Sequence, residues 1–171
     1  MALITNKYKQ LAVITLLFFF ISGCERTIER TIVKPTIPFN PQEIENALKE
    51  GNSTITGQAF TTKRGDVKYS AGETINLIPL TPYVEQAINL SNKANAFTTV
   101  DIDKRMFDYA KKTIADGTGK FKFTGLSSGK YYLETDTKWW YHAPDGSQIK
   151  MGTKGIANIE NDGDTVEIIL Q

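Results

Sequence analysis

Residues 115–133, which read ADGTGKFKFTGLSSGKYYL, decide the fold of this 171-residue chain. Phe121 and Phe123 alternate with lysines, which is the period of a strand that buries one face. The DGTG sequence before them is typical of a hairpin turn. Gly129 lets the chain reverse, so that Tyr131 can enter the core beside the two phenylalanines. The stretch therefore predicts two neighbouring β-strands with a shared aromatic core.

The same period of two continues on both sides of this stretch, so most of the chain is predicted to be strand. The residues from 73 to 80 are apolar on both faces, which favours a central position in a sheet. Residues 130–142 form the longest expected strand, followed by a hairpin turn at 144–146. The expected strands are residues 54–61, 67–69, 73–80, 120–124, 130–142, 147–153, 155–160 and 165–170.

Three segments have helical rather than strand character. Asn40 and Pro41 are a typical helix start, and Ile44 begins a short apolar stripe. Thr81 can cap a second helix that runs from Pro82 to about residue 92. Apolar residues at helical spacing predict a third helix over residues 101–113.

Residues 53–171 resemble the carboxypeptidase regulatory-like domain. The resemblance is carried by ITG at 55–57, INLIP at 75–79, ADGTGKFKFTGL at 115–126 and SGKYYL at 128–133. It implies a mainly β fold, a small antiparallel β-sandwich of the transthyretin (prealbumin) type. GDVKY at 65–69 and TPY at 81–83 are similar to a bacterial subgroup without known activity. The two-helix insert at 82–113 departs from the family pattern.

The amino-terminal residues have the pattern of a secretory signal peptide over residues 1–23. Two lysines precede an apolar run that is about half the roughly 20 residues needed to span a bilayer. Residues 21–24, ISGC, resemble the bacterial lipobox. The resemblance implies cleavage between Gly23 and Cys24, a diacylglycerol thioether on the Cys24 sulfur and acylation of the new amino terminus, which would hold the protein on a membrane.

Residues 24–52 are expected to be a lipid-anchored tether that ends in the short helix. Three prolines at 35, 38 and 41 argue against regular structure before that helix. Fully extended, residues 25–39 would reach roughly 50 Å from the lipid. Glu25 follows the lipidated residue in place of the aspartate that retains enterobacterial lipoproteins, so the resemblance favours the bacterial outer membrane.

Composition excludes several classes of function. Removal of the two lysines of the signal leaves 18 basic against 19 acidic residues, a charge of −1, with no basic patch for nucleic acid. The one cysteine is Cys24, so the domain folds without disulfides. The one histidine has no second His or Cys to complete a metal site. No catalytic motif occurs, so no catalytic residue, metal or cofactor is predicted.

Two acidic groups have a structural explanation that is favoured over a functional one. Asp101, Asp103 and Asp108 are better explained as helix-start charges than as catalytic carboxylates. The NDGD sequence at 161–164 has some calcium-loop character but lacks a bidentate glutamate at the required distance, so a turn is favoured.

Trp140, Tyr141 and His142 are the candidate ligand-binding residues. Side chains alternate along a strand, so an exposed Trp140 could stack on a sugar ring or contact a partner. The alternative, that Trp140 packs under the helical insert, is favoured over ligand contact.

Three functions are compatible with these residues. The first is a lipid-anchored, non-enzymatic protein of the cell envelope whose sandwich is a binding or structural module for an envelope protein. The second is a lipoprotein that binds glycan or peptidoglycan through the aromatic strand. A hydrolase is the weakest, because no nucleophile, base or metal set is present.

Overall fold

The computed structural model describes residues 30–139 and 149–171, except residues 64 and 96. Residues 32–171 form one compact unit. The predicted signal peptide, Gly23, Cys24, the candidate residues Trp140, Tyr141 and His142, and the turn at 144–146 lie outside the described residues. Within the described ranges, no helix combines the length and apolar character that crossing a bilayer requires.

The chain alternates long strands with short helical segments. The strands are β1 (Thr31–Val33), β2 (Ser53–Lys63), β3 (Asp66–Tyr69), β4 (Thr74–Pro79), β5 (Thr98–Val100), β6 (Lys111–Ile114), β7 (Lys120–Leu126), β8 (Gly129–Trp139), β9 (Ile149–Ile159) and β10 (Thr165–Leu170). The helices are α1 (Pro41–Ala47), α2 (Pro82–Lys93) and a 3₁₀ helix at Lys104–Tyr109.

Two four-stranded sheets form the body of the domain. In the first, β2 pairs with β10 in parallel register and with β7 and β3 in antiparallel register. In the second, the order is β6-β4-β8-β9 and every pair is antiparallel. A small third sheet joins β1 to β5. The predicted mainly β sandwich is confirmed, and the strand pairs of its two large sheets are antiparallel except for β2 with β10.

The core lies between the two large sheets. Alternate residues of each strand point inward, so the strands supply one continuous apolar cluster. Burying a large apolar side chain contributes about 1.5–3 kcal/mol, which makes this cluster the main source of stability. The buried members are Ile55, Ala59, Ile75, Leu77, Ala115, Phe121, Phe123, Leu126, Tyr131, Leu133, Ala157, Ile159 and Leu170.

The chain packs especially closely at Gly57 of β2. A Cβ atom at this position would lie 2.4 Å from the carbonyl oxygen of Ile168 and 2.5 Å from Cζ of Phe121. Only glycine permits this contact, because real Cβ atoms do not approach other heavy atoms so closely. Gly57 of the ITG sequence thus allows β2 to pack closely against Phe121 and the backbone of Ile168.

A helical layer covers part of the outer face of the second sheet. Ile78 of β4 points away from the sandwich core and is fully buried against this layer, as expected for a strand with two apolar faces. Ile44 of α1, Val84 of α2 and Met106 of the 3₁₀ helix pack around it. Asn40 and Thr81 cap α1 and α2 as predicted, each accepting a hydrogen bond from a backbone N–H.

The predicted helix over residues 101–113 is wrong in extent and in part in type. Only Lys104–Tyr109 is helical, as a 3₁₀ helix, and Lys111–Ile114 is a strand that pairs with β4. The Asp103 carboxylate caps the short helix by accepting from the Arg105 N–H at 3.0 Å. The chain then leaves the helix because the open edge of β4 offers backbone partners to residues 111–114, which overrides local helical spacing.

The described part of the predicted tether is not free of the domain. Residues 31–33 are a strand, and the Val33 carbonyl accepts from the Asp101 N–H at 2.8 Å. The Gln86 Oε1 atom accepts from the N–H groups of Thr36 and Ile37, both at 3.0 Å. The prolines interrupt regular structure as expected, but extended segments between them still find partners on the helical layer.

Phe39 completes this attachment. Its ring lies edge-on to Tyr83 with centroids 5.2 Å apart, and the Arg105 guanidinium lies 5.2 Å from the ring centroid. An aromatic pair and a cation–π contact each stabilise by about 0.5–1.5 kcal/mol. Residues 31–39 are therefore a strap fastened to the domain.

Candidate functional site

The exposed part of the second sheet carries a row of polar side chains across all four strands. Opposite residues of an antiparallel pair lie on the same face, so register alone places these side chains together. The row consists of Lys112 on β6, Asn76 on β4, Glu134 on β8 and Lys154 on β9.

A second row continues the site toward the end of the sheet that the helices leave uncovered. Asp136 lies opposite Gly152, and Thr74 lies opposite Ile114. All members of the two rows except Lys112 and Ile114 line an open cleft of about 530 Å³. Its lining is Glu73, Thr74, Asn76, Tyr132, Glu134, Thr135, Asp136, Gly152, Thr153 and Lys154. The volume is within the range of small-molecule sites.

A smaller hollow of about 170 Å³ extends the cleft under the helical layer. The two spaces share Tyr132, Glu134 and Lys154, so they are adjacent along these three residues. The hollow adds apolar contacts from Ile88 and Phe107. The site thus has a polar floor and a partly apolar end.

Glu134 is the electrostatic centre of the cleft. Burial raises the pKa of its carboxyl above the ordinary value, and nearby Asp136 adds to the effect. The hydrogen bond from the Tyr132 hydroxyl and the charge of Lys154 oppose the rise in pKa. Burial and the Glu134 charge in turn raise the pKa of Tyr132, which stays a neutral hydrogen-bond donor.

Lys154 is held at the junction of cleft and hollow. Its Nζ atom donates to the Oδ1 atom of Asn92, near the end of α2. This bond ties the helix to the sheet across the site and fixes the position of one positive charge beside Glu134. The carboxylate of Glu134, the amide of Asn76 and the ammonium group of Lys154 therefore lie next to one another in the row.

Gly152 leaves the floor of the cleft open. A Cβ atom there would meet only the carbonyl oxygen of Thr135, at 4.0 Å. The position has no left-handed backbone, so a side chain can be added without strain. It would project into the space beside Asp136.

Of the acidic groups singled out in the sequence, Asp103, Asp162 and Asp164 have structural partners. Asp103 forms a 2.6 Å ion pair with Arg105, which lowers the pKa of its carboxyl, first through the side-chain hydrogen bond. Asp162 accepts from the N–H of Asn52 at 2.8 Å, and Asp164 accepts from the N–H of Asn161 at 2.8 Å. The 161–164 segment is the predicted turn. Among the described residues, no group of three or more metal-ligating side chains occurs.

The sequence alone does not predict the cleft. Alternation places Glu134 and Asp136 on the polar side of their strand, but nothing in the sequence of β8 pairs them with Asn76, which lies nearly sixty residues earlier. What the sequence does show is that polar residues interrupt two largely apolar strands. Whether those residues share a row, and so form a site, is clear only when the register of the strands is known.

Comparison with known proteins gives one informative structural match. No family model and no curated protein matches the chain. A crystal structure from Pseudomonas aeruginosa, described as a "putative carbohydrate binding protein", superposes with a TM-score of 0.61 at 19% sequence identity. The match covers 78% of this chain and 98% of the other. At this identity the similarity establishes a shared fold.

Proposed function

We propose that this protein is a lipid-anchored, non-enzymatic component of the bacterial cell envelope whose β-sandwich binds carbohydrate in the cleft around Glu134. The observation that carries the proposal is the cross-strand polar row. Sugars present many hydroxyl groups, and carboxylate, amide and ammonium groups on a rigid sheet can donate to and accept from them simultaneously. The structural neighbour's description as a carbohydrate binder supports the same class of ligand.

The cleft has one partly apolar end and one polar end, which fits an amphipathic sugar ring. Tyr132 and Phe107 lie at the end that continues under the helices, where a sugar's C–H groups could pack. Polar residues occupy the open end. The sequence resemblance to a bacterial subgroup of the carboxypeptidase regulatory-like domain without known activity supports binding rather than turnover.

A cleft-filling variant tests the proposal. In Gly152→Trp a bulky side chain would occupy the cleft, whereas the matched control Gly117→Trp places the same side chain in a turn with no atom within 4 Å. Isothermal titration with soluble peptidoglycan fragments and envelope polysaccharides should show binding to the parent and the control, and at least tenfold weaker binding to Gly152→Trp. Equal binding by all three would exclude the cleft as the site.

The aromatic strand is a second place for the same ligand. Trp140 is the predicted stacking residue, so Trp140→Phe should leave affinity unchanged if the cleft alone binds. A loss of affinity in Trp140→Phe with Gly152→Trp unaffected would transfer the site to the aromatic strand. Isothermal titration follows both variants, because Gly152→Trp adds a third tryptophan to the two of the parent and Trp140→Phe removes one, so their fluorescence signals are not comparable.

The anchor is tested separately. Cys24→Ala should leave an unprocessed precursor that incorporates no radioactive palmitate, since only a thiol gives the thioether. Separation of inner and outer membranes then tests the proposed outer-membrane location. Palmitate labelling of Cys24→Ala equal to that of the parent would contradict lipid attachment at this residue.

A further inference from the structure

The small sheet of β1 and β5 exposes two large apolar side chains. Ile32, the middle residue of β1, is 68% exposed, and Phe97, directly before β5, is 59% exposed. Single exposed apolar residues are common, so exposure alone does not indicate a partner. Ile32 differs from the other exposed residues in its place in the chain, because β1 is the first described element after the predicted lipid site, and Phe97 adjoins β5, the strand that pairs with β1.

Phe97 is held outward by a hydrogen-bonded turn. The Asn95 side-chain oxygen accepts from the Phe97 N–H at 2.9 Å and from the Thr98 hydroxyl at 3.1 Å. The Asn95 carbonyl also accepts from the Thr98 N–H at 3.0 Å. These bonds hold the backbone N–H groups of Phe97 and Thr98, and the Phe97 ring is exposed to solvent.

The chain between the lipid site and this sheet is short. Ile32 follows Cys24 by eight residues, which span at most about 29 Å when fully extended. A compact domain of about 140 residues has a radius of gyration of about 14 Å, hence a diameter of about 37 Å. The tether therefore keeps β1 within about 29 Å of the lipid, less than the diameter of the domain, so β1 cannot lie at the point farthest from the membrane when Cys24 is lipidated.

Positive charge lies beside the two apolar side chains. Arg30 and Lys34 flank β1, and Lys93 ends α2 just before the Asn95 turn; all three are exposed. Among the described residues, Asp101 directly follows β5 at the end away from Phe97, and Asp101 and Asp103 line a hollow together with Lys34. Basic groups around exposed apolar side chains fit an anionic phospholipid surface.

We propose that Ile32 and Phe97 form a membrane-contact surface that seats the domain on the phospholipid bilayer holding its lipid anchor. The inference rests on the proposed lipidation of Cys24. It adds a second, non-covalent contact, which fixes the orientation of the domain. The short chain after Cys24, the exposed apolar side chains and the basic residues all favour a phospholipid surface as the partner.

A fluorescent probe tests the contact in the full-length, lipidated protein. Thr99→Cys places a thiol on β5 and keeps both apolar residues, and Thr62→Cys is the matched control on β2; both threonines are exposed. Cys24 would carry lipid, so only the new cysteine takes the probe. The protein is reconstituted in vesicles of phosphatidylethanolamine and phosphatidylglycerol, and iodide is the aqueous quencher.

We expect the probe at Thr99→Cys to be quenched by iodide at least threefold less than the probe at Thr62→Cys. Adding Ile32→Ser and Phe97→Ser should restore quenching at position 99 without change in circular dichroism, because both side chains are exposed. Equal quenching at the two positions in vesicle-bound protein would overturn the contact surface and leave the anchor intact. Protein that does not float with vesicles and whose Cys24 takes the probe would overturn both proposals.

Discussion

Replacing Gly57 with alanine should destabilise the sandwich more than the same replacement at Gly152 or Gly155. The new Cβ atom would meet the Ile168 carbonyl oxygen at 2.4 Å and the Phe121 ring at 2.5 Å. One contact is backbone, so relief requires β2 and β10 to move apart. Overpacking lowers the free energy of unfolding by about 1–3 kcal/mol. Alanine also reduces the conformational entropy of the unfolded chain relative to glycine, which raises the free energy of unfolding by about 0.4–1 kcal/mol.

The clash is with backbone, so the overpacking cost lies at the upper end of its range and the expected net loss for Gly57→Ala is about 2–2.6 kcal/mol. In a domain of this size, each kcal/mol lowers Tm by about 3–4 °C, which predicts a decrease of about 6–10 °C. Thermal and urea unfolding, followed by circular dichroism, measure both quantities.

The other two glycines provide matched controls. Gly152→Ala meets nothing closer than 4.0 Å and should be neutral or stabilising by up to about 1 kcal/mol. Gly155→Ala meets the flexible methyl ends of Ile168 and Leu170, both at 2.9 Å, and should fall between the other two. If Gly57→Ala unfolds within about 1 °C of the parent, or if Gly152→Ala is the least stable of the three, the packing argument is wrong.

Three further predictions concern individual side chains. The pKa of Glu134 is raised in the folded protein, so the ionised carboxylate destabilises the fold at pH values above that pKa. Glu134→Gln should therefore be more stable than the parent at pH 7. The difference in stability should disappear as the pH falls below the pKa of Glu134 in the unfolded chain. A constant difference in urea unfolding from acidic to neutral pH would contradict this. Tyr131→Phe should cost about 1–2 kcal/mol, because the buried hydroxyl donates to the Ser127 carbonyl at 2.8 Å; an unchanged urea midpoint would refute it. Gln86→Ala should speed hydrogen exchange at the amide of Thr36 with little change in Tm, whereas unchanged exchange would show that the strap does not depend on this side chain.

The strands were predictable because local signals and tertiary structure agree. The alternation around Phe121 and the turn chemistry before it both favour the observed succession of turn and strand. The caps at Asn40 and Thr81 act over three residues, so they can be identified without knowledge of the fold. The two apolar faces of β4 correctly indicated a strand covered on both sides.

The failures came from interactions between distant segments. Residues 111–114 become a strand only because β4 has an edge to pair, and helical spacing from Ile102 to Ala110 concealed this. The strap at 31–39 is attached by Gln86 and Asp101, about fifty or more residues away. The cleft likewise depends on the register of four strands. None of these partners can be inferred from local composition.

The parallel pairing of β2 with β10 affects how the domain acquires its structure. Thr54 lies beside Thr165, more than a hundred residues later in the chain. Such distant pairing is characteristic of slow folding, since a large loop must close before the contact forms. The first long strand cannot gain its full set of backbone partners until the last strand has been synthesised. Under the proposed export, a chain that met the translocation machinery before its last strand was synthesised would still have this sheet open.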